Sequence, residues 1–191
     1  TDEIYGESNN TKFAETDNYN PTNPYAATKA AAELLINSYI KSYNINIIII
    51  RCNNIYGSNQ HNEKVIPCFI NYALNNKPLY IHGNGDKIRD FVYISDIIDA
   101  IIVLMNKGVN QNIYNIGYEN PITILELAKL ILKECGSDSK IEYIKDRPFN
   151  DNRYNINSDK IIKLGWKPKH ITKDSFIINI KKLIKDKYDN N

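Results

Sequence analysis

The chain has 191 residues, enough for one sizeable hydrophobic core or two small ones. Its 24 Lys and Arg are nearly balanced by 22 Asp and Glu, and the net charge of +2 excludes the polybasic footprint of a nucleic-acid binder. The longest apolar run, Ile47 to Ile50 with its flanks, is far too short to cross a bilayer, which argues against a membrane-spanning helix.

From the N-terminus, Glu7 to Asn20 is polar and Asn-rich, interrupted only by Phe13 and Ala14, and suits a loop passing over a site. Asn23 with Pro24 opens a helix that runs through Ala30, Glu33 and Leu35 to about Tyr43. Ile45 to Arg51 is β-branched and apolar on both faces, the pattern of a buried parallel strand. A long helix followed by such a strand is one unit of an α/β sheet.

Glu63 to Asn75 reads as a helix interrupted near its start by Pro67, and Leu79 to His82 as a short strand. Gly83-Asn84-Gly85-Asp86 lacks the third glycine and the following helix of a phosphate cradle, so it reads as a hairpin turn leading into a strand at Asp90 to Ile94. Ser95 is the expected cap of a helix ending at Met105. A strand at Ile113 to Ile116 precedes Thr123, which with Glu126 has the spacing of a capping box for a helix to about Cys135. Ile141 to Ile144 is a further strand, Ser158 to Leu164 a short helix, and Lys173 to Tyr188 a terminal amphipathic helix. Its basic end, Lys181 to Lys187, reads as a solvated helix terminus.

Cys52, Cys68 and Cys135 are widely spaced and joined by no His into a metal-ligand spacing, so no metal is expected. They read as buried small hydrophobes of a protein in a reducing compartment, which points to the cytoplasm.

The chemistry concentrates near the start. Tyr25 and Lys29 stand four residues apart on one helix face, so phenol and ammonium are aimed at one small volume. A neighbouring cation favours the phenolate, which makes Tyr25 a candidate general base. Thr1-Asp2-Glu3 adds a hydroxyl and two adjacent carboxyl groups. Two carboxyl groups in one desolvated pocket cannot both ionise cheaply, so one stays a proton donor and the other a base. In a regular strand residues 2 and 3 would point to opposite faces, so the backbone is expected to turn there.

Thr1-Asp2-Glu3-Ile4-Tyr5-Gly6 and Asn23-Pro24-Tyr25-Ala26-Ala27-Thr28-Lys29 are joined by four later motifs: Asn53-Asn54-Ile55-Tyr56-Gly57, Glu63-Lys64-Val65-Ile66-Pro67, Ile88-Arg89-Asp90-Phe91-Val92 and Asp146-Arg147-Pro148. Together they resemble the nucleoside-diphosphate-glucose 4,6-dehydratases of the extended short-chain dehydrogenase/reductase superfamily, in order and over essentially the whole chain. The resemblance implies an α/β fold: part of a Rossmann-type parallel sheet over residues 1–58, with a returning segment at about 90–106, and a smaller C-terminal α/β substrate-binding domain over 59–191. It implies NAD as cofactor, a nucleotide-sugar substrate, a place in deoxysugar or rhamnose biosynthesis, and a homodimer built on the helix of Tyr25 and Lys29. No nucleic-acid or membrane partner is expected.

By position, the resemblance gives Tyr25 the proton of the sugar 4-hydroxyl while hydride passes from C4 to NAD. Glu3 then removes the C5 proton, Asp2 protonates the departing 6-hydroxyl, and hydride returns to C6. Thr1 is implied to bond the 4-oxygen and Lys29 the cofactor ribose, with Ile55 also on the cofactor side. Asn54, Lys64 and Val65 fall at positions facing the sugar diphosphate, and Tyr80 and His82 on a strand touching the nucleotide base. Arg89 and Arg147 are placed to meet phosphate oxygens.

Two departures bear on the nucleotide subsite. Phe149-Asn150 stands where the family often has Gly-His, leaving the amide of Asn150 in place of a phosphate-facing His, and Ile124 stands near a position that is Asn in many bacterial members. Both leave the choice between dTDP and UDP open. The nearest alternatives are a 4-epimerase or a UDP-glucuronate decarboxylase, which share Tyr25 and Lys29 but typically lack the Asp-Glu pair. The chain lacks a glycine-rich dinucleotide fingerprint and starts at Thr1, so it is expected to be a C-terminal fragment of the enzyme, inactive alone or at most a binder of nucleotide sugar.

Overall fold

Three parallel strand pairs carry the fold of the computed structural model, which describes residues 1–8, 11–149 and 151–188. A 3-10 turn, Asp2–Tyr5, leads through a loop to α1 (Pro24–Tyr43), then β1 (Ile49–Cys52), β2 (Asn54–Tyr56), α2 (Val65–Leu74), β3 (Leu79–His82), β4 (Ile88–Tyr93) and α3 (Ile94–Lys107). The chain continues through β5 (Ile113–Ile116), β6 (Pro121–Thr123), α4 (Ile124–Cys135), β7 (Ile141–Ile144), α5 (Asp159–Lys163) and α6 (Lys173–Tyr188). β1 runs parallel to β5, β2 to β4 and β3 to β7, while β6 adds antiparallel to β4. The molecule is therefore α/β with parallel pairing. Among the described residues no helix is long and apolar enough to cross a membrane.

Local chemistry sets the helix ends. The Asn23 side chain accepts the Ala26 N–H at 2.9 Å, and Pro24 occupies the first turn of α1, where its missing N–H costs nothing. α1 closes at Asn44, whose φ of 50° is the left-handed conformation that Asn tolerates. Thr123 and Glu126 form the expected capping box on α4, each side chain bonding the other's backbone N–H.

Several features differ from the sequence expectation. The strand expected over 45–51 pairs only from Ile49, because aliphatic character reports burial and not ladder pairing. The strands around Gly83–Asp86 are not a hairpin: β3 pairs with β7 and β4 with β2 and β6. Gly85, at φ 77°, lies so close to β3 and α4 that an added Cβ would meet Ile81 at 2.9 Å and Leu125 at 3.1 Å, and its carbonyl accepts the Leu125 N–H at 3.0 Å. The turn thus satisfies a helix N-terminus and changes sheet. Ser95 lies inside α3, whose cap is Tyr93 without a side-chain bond. The short strands β2 and β6 carry too few residues for a period to show. All three cysteines are free and half-buried, not fully buried.

The largest apolar cluster packs α2, α4 and α6 against β2, β3 and β4 through Phe69, Phe91, Leu127 and Phe176. A second joins α3, β5 and α5 around Ile97, Ile116, Ile161 and Trp166. A small third cluster, Ile4, Tyr5, Ala30 and Ile156, seats the 3-10 turn on α1.

Beside that third cluster lies a buried ion pair. Arg51 of β1 is 1% exposed and grips Glu33 of α1, with its Nη2 2.7 Å and its Nε 3.1 Å from Glu33 Oε2. Its Nη1 donates to the Tyr5 hydroxyl at 2.6 Å, and its guanidinium stacks on the rings of Tyr5 and Tyr19. Burial opposes the charge, but the bonds it donates to Glu33 and Tyr5 outweigh that and hold Arg51 protonated. Tyr5 passes the network on to Asn115 of β5 at 2.9 Å. Arg51→Leu, which strands Glu33 as an unpaired buried charge, is expected to cost about 3–5 kcal/mol in chemical denaturation. Adding Glu33→Leu should recover part of that loss.

Candidate active site

The 3-10 turn answers the geometric difficulty of adjacent carboxyl groups. With about three residues per turn, successive side chains diverge by roughly 120° and not the strand's 180°. Thr1 Oγ1 accepts the Glu3 N–H at 3.3 Å and caps the turn. Asp2 is 4% exposed and takes a hydrogen bond at 2.7 Å from Nδ2 of Asn53, which follows β1. Glu3 is half-buried and takes one at 3.1 Å from Nδ2 of Asn23. Burial pushes the Asp2 carboxyl up to about 6, against the lowering effect of the Asn53 bond, and the Glu3 charge adds to the rise. Adjacent in sequence, the two carboxyl groups occupy different environments.

Asn23 does two jobs. Its Oδ1 caps α1 while its Nδ2 holds Glu3, so the acidic turn is fastened to the N-terminus of the helix carrying Tyr25 and Lys29. Tyr25 is 51% exposed and Lys29 is exposed, with the ammonium 5.8 Å from the ring centroid. Helical spacing thus puts phenol and ammonium over one volume at the surface of α1. No hydrogen bond among the described residues joins the Tyr25 hydroxyl to Thr1, Asp2 or Glu3. The connection runs through Asn23.

A second group reaches the same helix from the far end of the chain. Asp151 Oδ2 accepts from Thr22, just before α1, and from the Tyr154 hydroxyl, both at 2.6 Å. Burial raises the Tyr154 phenol, with Asp151 and Glu3 adding to the rise, so it remains a donor. Arg89 of β4 stacks on the Tyr154 ring at 5.1 Å, and its Nη1 donates to the carbonyls of Ile88, Asp151 and Asn152. Arg89 therefore fastens the 151–154 segment beside the acidic turn. Next to it Asp90 is buried and paired with Arg153, Nη2 to Oδ2 at 3.1 Å.

The other expected residues are distributed over β2, the start of α2, β3 and the segment after β7. Asn54 and Ile55 are half-buried on β2, opposite Phe91 and Val92 of β4. Lys64 precedes α2 and is exposed, and Val65 packs partly into the large core. On β3, alternation turns Leu79 and Ile81 inward and Tyr80 and His82 outward. Tyr80 meets Tyr72 edge-on at 6.3 Å, and His82 Nδ1 lies 3.1 Å from the Lys145 carbonyl. Arg147 is exposed after β7, the partner of β3. Asn150 lies outside the described residues.

Sequence reasoning missed Asn53, Thr22, Asp151 and Tyr154 as site residues. Asn53 carried a signal, since it sits beside Asn54 immediately after a buried strand. Asp151 carried none, because its partner Thr22 lies 129 residues away.

Comparison with known proteins adds a family. Residues 1–117 match the NAD dependent epimerase/dehydratase family. The chain is 43% identical over 176 residues to the dTDP-D-glucose 4,6-dehydratase of Homo sapiens, covering 88% of this chain and 50% of that protein. It is 44% identical over 171 residues to a trifunctional UDP-glucose 4,6-dehydratase of Arabidopsis thaliana, covering 87% and 26%. The chain thus spans about half the length, or less, of the curated relatives it matches. Its fold superposes with a TM-score of 0.92 on the dTDP-glucose 4,6-dehydratase of Streptomyces venezuelae solved with NAD and TYD bound, at 31% identity, covering 99% of this chain and 58% of that one. On the family match and these identities, the chain belongs to the NAD dependent epimerase/dehydratase family.

Proposed function

We propose that this chain is the catalytic-helix and substrate-side part of an NAD-dependent nucleoside-diphosphate-glucose 4,6-dehydratase. The observation that carries the proposal is the pair of hydrogen bonds made by the Asn23 side chain, which fixes Glu3 at the foot of the helix bearing Tyr25 and Lys29 while Asp2 lies buried beside it. A phenol, an ammonium and two unlike carboxyl groups are the set that alcohol oxidation followed by elimination of water requires. The names of the relatives, dehydratases acting on dTDP-glucose and UDP-glucose, support the same substrate class.

In this proposal Tyr25 takes the proton of the sugar 4-hydroxyl, with Thr1 bonding the same oxygen. NAD, when bound, would supply a reversible hydride acceptor, taking hydride from C4 and returning it to C6 once water has left, with the proton taken by Glu3 going back to C5; the exposed Tyr25 phenol and Lys29 ammonium fit its ribose hydroxyls as donors. The C4 ketone acidifies the C5 proton, which Glu3 removes. As the C6–O bond breaks, Asp2 gives its proton to the departing hydroxyl, which leaves as water. Asp2 suits the donor role because burial holds its proton to higher pH than an ordinary carboxyl group. Asn54, Lys64, Val65, Arg89, Arg147 and Asn150 are assigned to the sugar diphosphate and Tyr80 and His82 to the base, with Ile55 on the cofactor side.

Residues 1–58 and 90–106 are assigned to the NAD-binding domain and the remainder mainly to the substrate domain. Homodimerisation through α1 draws support from its exposed Leu34, Leu35, Tyr39 and Tyr43. A cytoplasmic place fits the free cysteines, and rhamnose or another deoxysugar is the proposed end product.

The intact protein, incubated with NAD and either dTDP-glucose or UDP-glucose, is expected to form a 4-keto-6-deoxy sugar with its characteristic absorbance in alkali. Formation of the galactose epimer alone would refute the dehydratase assignment. Tyr25→Phe should lower kcat by about 10²–10⁴ without weakening NAD binding comparably.

Asp2 also makes a prediction about stability. The folded protein holds its proton up to about 6 while the unfolded chain releases it near 3.8, so the Asp2 carboxylate destabilises the fold increasingly as pH rises between those values. Asp2→Asn is therefore expected to be close to neutral at pH 4 and stabilising by on the order of 2 kcal/mol at pH 7. Denaturation of both proteins across that range checks the sign.

A further inference from the structure

Asn53 lies between β1 and β2 and is 5% exposed. Its N–H continues the β1–β5 ladder to the Ile116 carbonyl at 3.3 Å, which fixes its backbone, and its Nδ2 donates to Asp2 Oδ2 at 2.7 Å. Behind it stands Gly117, directly after β5. A Cβ on Gly117 would fall 1.9 Å from Asn53 Oδ1, a distance no real pair of atoms tolerates, so the Asn53 amide occupies the space that any other residue at 117 would fill. Gly117 cannot recede, because its N–H donates to Ser158 Oγ at 2.9 Å and its carbonyl accepts from the same hydroxyl at 2.8 Å. The other Asp2 oxygen, Oδ1, accepts the long bond of the Thr1 hydroxyl, at 3.4 Å. One oxygen of the carboxyl group is held tightly, and the other loosely.

We propose that Asn53 is the positioning residue of the Asp2 carboxyl group, clamped against the bare backbone of Gly117 so that Oδ1 is the oxygen left to carry and deliver the proton. An amide N–H bonded to Oδ2 leaves Oδ1 as the protonation site, since a proton on Oδ2 would confront the donor. The clamp therefore sets both where the acid points and which of its oxygens is charged with the proton. This inference rests on the dehydratase assignment for its catalytic meaning, but not for the geometry. The ionisable side chains facing Asp2 are Glu3 on its own turn and the Cys52 thiol of β1, which burial pushes up to about 11 and keeps neutral.

The test uses the intact enzyme with Asn53→Leu, which keeps the approximate volume and removes the donor. In single turnover with dTDP-glucose and UDP-glucose, oxidation at C4 should stay within about 2-fold of wild type while elimination slows by about 10- to 100-fold. Independently of activity, the pH midpoint at which Asp2→Asn becomes stabilising should move upward by about one unit in the Asn53→Leu background, because the bond that favoured the carboxylate is gone. An unmoved midpoint overturns the proposal, as does equal slowing of oxidation and elimination. If the Leu variant does not fold, Asn53→Ser, a smaller side chain that keeps a donor, is read in the same way, with smaller shifts in the same directions expected. A wild-type enzyme that dehydrates neither sugar sinks the dehydratase function, and the midpoint alone then decides whether Asn53 holds Asp2.

Discussion

Arg51 carries a full charge into a place almost free of solvent, and everything at the head of the chain is arranged around that constraint. A buried guanidinium must have partners for its donors, so Glu33 on α1, the Tyr5 hydroxyl at the end of the acidic turn and the Tyr19 ring are drawn to one point on β1. Through Tyr5 and Asn115 the same point reaches β5. The position of the turn relative to α1 and the sheet is set by these bonds together with the small apolar cluster beside them. Because the acidic turn ends in Tyr5, the carboxyl groups of Asp2 and Glu3 inherit their placement from an ion pair that does no chemistry itself.

Within that frame the two carboxyl groups are differentiated by solvent and not by sequence. Asp2 is enclosed, and burial holds its proton up to about 6 in spite of the donor from Asn53. Glu3 is half in water and is held by the residue that caps α1. The 3-10 turn is what allows both outcomes in adjacent positions, since a strand would have sent one of them away from the site altogether. The acid and base roles proposed for them depend on this asymmetry of burial.

Much of the fold could be read from local chemistry. The cap at Asn23 with Pro24 and the Thr123–Glu126 box announced α1 and α4 close to their observed limits, because capping is decided by residues three or four apart. Pairing was less legible: the glycine turn at 83–86 looks like a hairpin locally, but β3 and β4 find partners far along the chain. Aliphatic residues before Ile49 marked burial without marking a ladder. The site divides in the same way. Tyr25 with Lys29 and Asp2 with Glu3 are neighbours in sequence and could be recognised as such. Asn53 meets Asp2 across 51 residues and Asp151 meets Thr22 across 129, and nothing in a local pattern encodes either meeting.

The parallel pairs have a further consequence for how the molecule comes together. Ile49 lies beside Ile113 and Leu79 beside Ile141, so no such ladder can close until a long excursion of chain has been gathered in. Loop-closure entropy is lost before those contacts return anything, which makes high-contact-order topologies slow to fold and leaves hydrophobic strands unpaired in the meantime. The helices, stabilised by their own caps, can form early, whereas the acidic turn must wait for residues 53 and 151 to arrive. The acidic turn, with its contact to Asn53, is thus among the last parts of this chain to be assembled as it folds.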